Sequence, residues 1–194
     1  MLNNFITAVI FITLTIIPVT AHAAGNKKVL FECPDLYDPN KRSIEPLTQG
    51  YDGWFFRSND LKMDFSISPQ SLSYLKRIND NLKNNNIDFV FIPLLSRAMM
   101  AEEMINHADP WQESYDITIA KKSYQDFVNE LSAVEINTVD VYAAYEAIDK
   151  NKIDEYNFKR DIHWKPAGSE LVAKKTAENI KKVKSYNDLA KSKT

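Results

Sequence analysis

The chain has 194 residues, 44% of them hydrophobic, with 24 Lys and Arg against 26 Asp and Glu for a formal charge of -2. That length suits one ordinary domain, and the near-zero charge excludes a strongly basic nucleic-acid binder and long-range attraction to anionic membranes. Gly25, Gly50, Gly53 and Gly168 cannot spell a dinucleotide loop or a P-loop, and Cys33 alone cannot make a disulfide within the chain or a multi-thiolate metal site.

Residues 5–19 form an uncharged apolar run, and Ala21-His22-Ala23 places small residues before Ala24, the layout of a secretory signal peptide. The run falls short of the roughly 20 residues that span a bilayer, and Pro18 breaks it. The reading is a signal peptide over residues 1–23, export to the periplasm, and no transmembrane anchor after cleavage. One departure is that Met1-Leu2-Asn3-Asn4 has no Lys or Arg. An unpaired thiol is unusual in an oxidising compartment. Three readings are open for Cys33: a buried small hydrophobe, a pair with another chain, or a partner on polypeptide that this chain lacks.

Residues 24–48 are polar and carry Pro34, Pro39 and Pro46, an irregular lead-in arm. Gly50-Tyr51-Asp52-Gly53-Trp54-Phe55-Phe56 predicts a tight turn at Asp52-Gly53 running into an aromatic strand. Leu72, Leu75, Ile78 and Leu82 predict a helix over 70–82, ended by Asn84-Asn85-Asn86. Residues 87–95 are nearly all apolar, as in a strand buried on both faces of a parallel sheet. A helix over 115–134, a second strand over 136–141, and a last helix over 166–182, opened by Pro166, complete the order. Helices alternating with buried strands describe an α/β domain over residues 49–183, a parallel sheet flanked by helices. Residues 184–194 are a polar tail.

The chemistry gathers before the last helix. In an extended backbone Asp161 and His163 project from one side while Ile162 enters the core. A carboxylate bonded to one imidazole nitrogen fixes the tautomer and leaves the other nitrogen as a general base. On spacing alone a structural Asp-His pair and a catalytic one stand equal. A metal site is a third reading, but a closed one needs three or four ligands, which the sequence does not mark. Trp164 adjoins His163 and can offer a face to a sugar ring, whereas Trp54 reads as core. Lys159, Arg160 and Lys165 form a small basic cluster, suited to a uronate polymer or simply solvated.

Asp161-Ile162-His163-Trp164-Lys165-Pro166-Ala167-Gly168 resembles the D-x-H-W-x-P-x-G segment of the SGNH-hydrolase-like domain in alginate O-acetyltransferases of the AlgX and AlgJ type. Gly50-Tyr51-Asp52-Gly53-Trp54-Phe55-Phe56 is similar to that family's G-x-D-G-W-L-F segment, and Glu32-Cys33-Pro34 to its Cys-Pro lead-in. The resemblance covers roughly residues 29–182. It implies an SGNH-type α/β fold with a Ser-His-Asp acyl-transfer site. Asp161 would orient His163, and His163 would deprotonate the serine and then the sugar hydroxyl that receives the acetyl group. Trp164, Arg160 and Lys165 would meet the substrate. It also implies an anionic exopolysaccharide such as alginate as partner, a membrane-bound acyl-donor partner, and no cofactor.

In that family the nucleophile lies well downstream of the D-x-H-W segment, in a G-x-S block. None follows His163 here, so the domain is expected to be incomplete on its C-terminal side, with the missing part the natural home of a partner for Cys33. Ser169 opens a helix rather than a strained strand-to-helix turn, and Ser96 merely follows the buried strand. Two functions therefore stand: an exopolysaccharide O-acetyltransferase-like protein, or a non-catalytic polysaccharide-binding or scaffold module of the same modification and export system.

Overall fold

A computed structural model describes residues 47–183 and Tyr186. The expected signal peptide, the lead-in arm up to residue 46 with Cys33, and the polar tail apart from Tyr186 lie outside the described residues.

Strand β1 (Leu47–Gln49) includes the end of the expected arm and pairs antiparallel with β2 (Phe55–Arg57), Leu47 opposite Arg57 and Gln49 opposite Phe55. The turn between them needs left-handed backbone at Asp52 (φ 51°) and Gly53 (φ 74°), as the Asp-Gly pair predicts. Trp54 and Phe56 are fully buried. Buried Thr48 ties the hairpin to a distant segment: its Oγ1 accepts from Gln112 Nε2 at 2.8 Å, while Gln112 Oε1 accepts the Asn106 backbone N–H at 2.9 Å. Beyond β2, the carboxylate of buried Asp60 accepts the Arg57 backbone N–H and its guanidinium, each at 2.8 Å, which makes the burial tolerable.

Helix α1 (Pro69–Asn84) starts at a Ser68 hydroxyl that accepts the Ser71 N–H at 3.1 Å, with Pro69 in the first turn. Strands β3 (Val90–Phe91) and β4 (Asn137–Thr138) run parallel, Val90 beside Asn137 and Phe91 beside Thr138, and helix α3 (Ile117–Ala133) lies between them in the chain. This is the expected βαβ arrangement. The laddered strands are far shorter than the apolar runs that announced them. Pro93 has no N–H to extend β3, and after β4 the Asp140 carboxylate caps helix α4 (Val141–Glu146) by accepting the Ala143 N–H at 3.0 Å, which makes Val141 helical.

Strand β3 is buried on both faces. Phe89 and Phe91 pack with Leu75 of α1, Phe127 and Leu131 of α3, and Ile136. Val90 belongs to the other cluster, with Trp54, Tyr124, Tyr145 and Val172 of the last helix α6 (Pro166–Ile180). Alternation along β3 therefore feeds two cores, which is why the run reads as continuously apolar. The short helices α2 (Arg97–Met100) and α5 (Ile153–Tyr156) complete the fold. Helices α2 and α4 both begin just beyond the carboxyl ends of β3 and β4, the end where open α/β sheets meet ligands. No helix among the described residues is long and apolar enough to cross a membrane.

Candidate active site

Between α5 and α6 the chain makes a tight loop closed by an antiparallel bridge between Asn157 and Trp164, with the Phe158 N–H donating to the His163 carbonyl at 3.3 Å and the Lys165 N–H to the Tyr156 carbonyl at 2.7 Å. The segment is thus a turn, not the extended strand that its spacing suggested. Ile162 consequently faces outward and is 50% exposed instead of entering the core.

Asp161 and His163 nevertheless meet, through a different geometry. One carboxylate oxygen of Asp161 accepts the His163 backbone N–H at 2.8 Å and also bonds His163 Nδ1. The first contact is a local side-chain turn of the kind Asp favours, and it delivers the carboxylate to the ring of the same residue. Because an ionised carboxylate only accepts, Nδ1 carries a proton, and in the neutral ring Nε2 then keeps its lone pair. The His163 side chain is largely exposed, which leaves Nε2 accessible. The same bonds, the backbone N–H foremost, hold the Asp161 carboxyl below its ordinary value, and the Arg97 charge adds to them.

Arg97 is the site residue that sequence reasoning missed. It stands at the start of α2, 3% exposed, and donates Nε to the Phe55 carbonyl at 2.9 Å. Its Nη1 bonds the Asp161 carbonyl and its Nη2 the Phe158 carbonyl. The guanidinium lies 4.6 Å from the Trp54 ring centroid, a cation–π stack. Burial lowers its pKa, and the Asp60 and Asp161 carboxylates push back. The available signal was that Arg97 is the one charge within Leu94-Leu95-Ser96-Arg97-Ala98-Met99-Met100-Ala101.

The remaining motif residues divide by role. Pro166 opens α6, and Gly168 lets that helix settle against Tyr156. Trp164 is 37% exposed, on the same loop as exposed Phe158. Arg160 is exposed, its guanidinium 5.8 Å from the Phe55 ring centroid. Lys165 bonds the Asp154 carbonyl and lies 5.5 Å from the Phe158 ring centroid, and Lys159 pairs with Asp52 at 2.5 Å. Of the basic cluster, Arg160 therefore has the charge best placed to meet a ligand. Ser169 Oγ donates to the Pro166 carbonyl at 2.9 Å and Ser96 Oγ accepts the Met99 N–H at 3.4 Å, so both hydroxyls serve helix starts. Among the described residues, no group of three or more His, Cys, Asp or Glu side chains converges to hold a metal. Two clefts of about 250 and 200 Å³ are lined by residues such as Lys83 with Glu135 and Asp140 with Lys175, and neither includes the 158–164 loop.

Residues 47–194 match the family described as SGNH hydrolase-like domain, acetyltransferase AlgX. The chain is 30% identical over 146 residues to the alginate biosynthesis protein AlgX of Pseudomonas aeruginosa, across 75% of this chain and 30% of that protein. It is 24% identical over 168 residues to AlgX of Pseudomonas putida, across 81% of this chain and 34% of that protein. The solved structure of Pseudomonas aeruginosa AlgX superposes with a TM-score of 0.66 at 29% identity, covering 76% of this chain and 35% of the other. The chain thus spans about a third of the length of the relatives it matches.

Proposed function

Because the chain belongs to the AlgX-type family of SGNH hydrolase-like acetyltransferases, we propose that it serves O-acetylation of an anionic exopolysaccharide such as alginate in the periplasm, with Asp161 and His163 as its base pair. The observation that carries this reading is the double engagement of Asp161 by His163, which leaves Nε2 as the accessible base. Nε2 takes the proton of an attacking hydroxyl, the hydroxyl oxygen bonds to the acyl carbonyl carbon, and Asp161 stabilises the imidazolium until the proton passes to the leaving group. Trp164 supplies a face for the sugar ring, with Arg160 toward the uronate carboxylates, while Lys165 is held by the Asp154 carbonyl. The acyl group arrives from a membrane-bound donor partner.

Ser96 and Ser169 are committed to helix starts, so the serine of a complete Ser-His-Asp site is assigned to neither. Asp161 and His163 supply the base pair, which acts on a serine or on the sugar hydroxyl itself. The test is acetyl transfer from an aryl acetate to a uronate oligosaccharide by the purified protein, read by mass spectrometry. A second reading, a non-catalytic binding module, draws on the exposed Trp164 and Phe158 beside Arg160. Oligosaccharide binding without transfer, unaffected by His163→Ala, would favour it.

A further inference from the structure

We propose that Arg97 is a positioning residue whose buried guanidinium fixes the backbone of Phe158 and Asp161 and thereby sets the geometry of the Asp161–His163 pair. Its relevance to catalysis rests on the reading of that pair as the base. The three carbonyls that Arg97 meets come from two separate parts of the chain: Phe55 from β2, and Phe158 and Asp161 from the loop. Each of the three guanidinium nitrogens therefore has a carbonyl partner, and the Trp54 ring 4.6 Å from its centre flanks one face. The group is held in place from several directions.

What this does to the loop follows from where Asp161 is gripped. Its carboxylate holds the amide and ring of His163, while its own carbonyl is anchored from beneath by Nη1. Phe158, at the start of the loop, is anchored by Nη2 and also donates its N–H to the His163 carbonyl at 3.3 Å. The start and the middle of an otherwise exposed loop are thus tied to a single rigid group that follows β3 in the chain. A lysine cannot replace it, because an ammonium is a point charge on a flexible stem and cannot serve three carbonyls as a planar fork does. Without the fork the loop keeps its local turn and loses the anchor that gives the turn one orientation.

The experiment compares wild type with Arg97→Lys and Arg97→Met by circular-dichroism melting, hydrogen exchange of the His163 amide, and the downfield NMR signal of its Nδ1 proton. Asn79→Ala is the control, since Asn79 is buried away from the loop and donates to the Glu135 carbonyl at 3.0 Å. Arg97 variants that still melt cooperatively are expected to exchange the His163 amide about tenfold faster and to lose the Nδ1 signal, as a locally opened loop does. Asn79→Ala is expected to lower the melting temperature and move neither signal. The proposal is overturned if a folded Arg97 variant keeps both signals, or if Asn79→Ala shifts them as much. Should neither Arg97 variant fold, the wild-type guanidinium protons decide: exchange slower than that of Arg160 is expected, and exchange as fast as Arg160 overturns the role. These readouts need no turnover. Loss of the signals in a protein that never transfers acetyl groups would remove the acyl-transfer reading and leave the positioning role, and the reverse pattern would do the opposite.

Discussion

Gly168 lies so close to Tyr156 that a Cβ at Gly168 would stand 2.4 Å from the Tyr156 carbonyl oxygen and 2.9 Å from the Trp164 Cβ. Both obstacles are backbone or the root of a side chain, so neither can swing aside. The glycine of the motif is there for close packing, which seats α6 beneath the loop. Gly168→Ala is expected to cost about 1–3 kcal/mol through overpacking. Urea denaturation measures this, and an unchanged midpoint would mean that α6 is not held this close.

The buried Thr48–Gln112 bond joins β1 to a segment more than sixty residues away. Gln112→Ala strands the Thr48 hydroxyl and the Asn106 N–H together, at an expected cost of about 1–3 kcal/mol. Thermal melting checks it. A loss near zero would show that β1 is not tied to the rest of the domain through this bond.

Two tryptophans in neighbouring motifs should behave oppositely. Trp54 is fully buried under Arg97, so Trp54→Ala is expected to cost about 3–5 kcal/mol. Trp164 is 37% exposed, and Trp164→Ala should cost less stability than Trp54→Ala while weakening binding of a uronate oligosaccharide in calorimetry. Full binding by Trp164→Ala would remove that residue from the sugar contact.

Asp161 supplies a pH signature. Its carboxyl lies below the ordinary value of 3.8 in the folded protein, held there by the His163 amide and ring. A depressed carboxyl contributes above its unfolded pKa and loses that contribution as pH falls through the folded one. The pairing should therefore persist through the neutral and mildly acidic range and break only as pH falls through the lowered Asp161 pKa. Carbon-13 titration of the Asp161 carboxyl is expected to give a midpoint under 3.8; a midpoint at or above that value would remove the pairing.

Much of this was legible in the sequence, and the exceptions share a physical cause. The helices over 70–82, 115–134 and 166–182 could be read because their apolar stripes repeat over several turns, and they appear as α1, α3 and α6 with ends moved by caps at Ser68 and Asp116. The lengths of β3 and β4 could not, since a ladder is decided by the partner strand and by Pro93 and Asp140 at its exits. The Asp161–His163 pairing followed from a two-residue spacing, although a turn rather than a strand produces it, and Ile162 points outward for that reason. Arg97 was invisible because its acceptors at residues 55, 158 and 161 converge only after folding. A lone charge in an apolar run was its single trace.

The base role of His163 is tested most directly by the rate of acetyl transfer from an aryl acetate to a uronate oligosaccharide, wild type against His163→Ala at neutral pH. Loss of a positioned general base is expected to slow transfer by about 10²- to 10⁴-fold. Equal rates in the two proteins, with both folded, would contradict the assignment of His163 as the base.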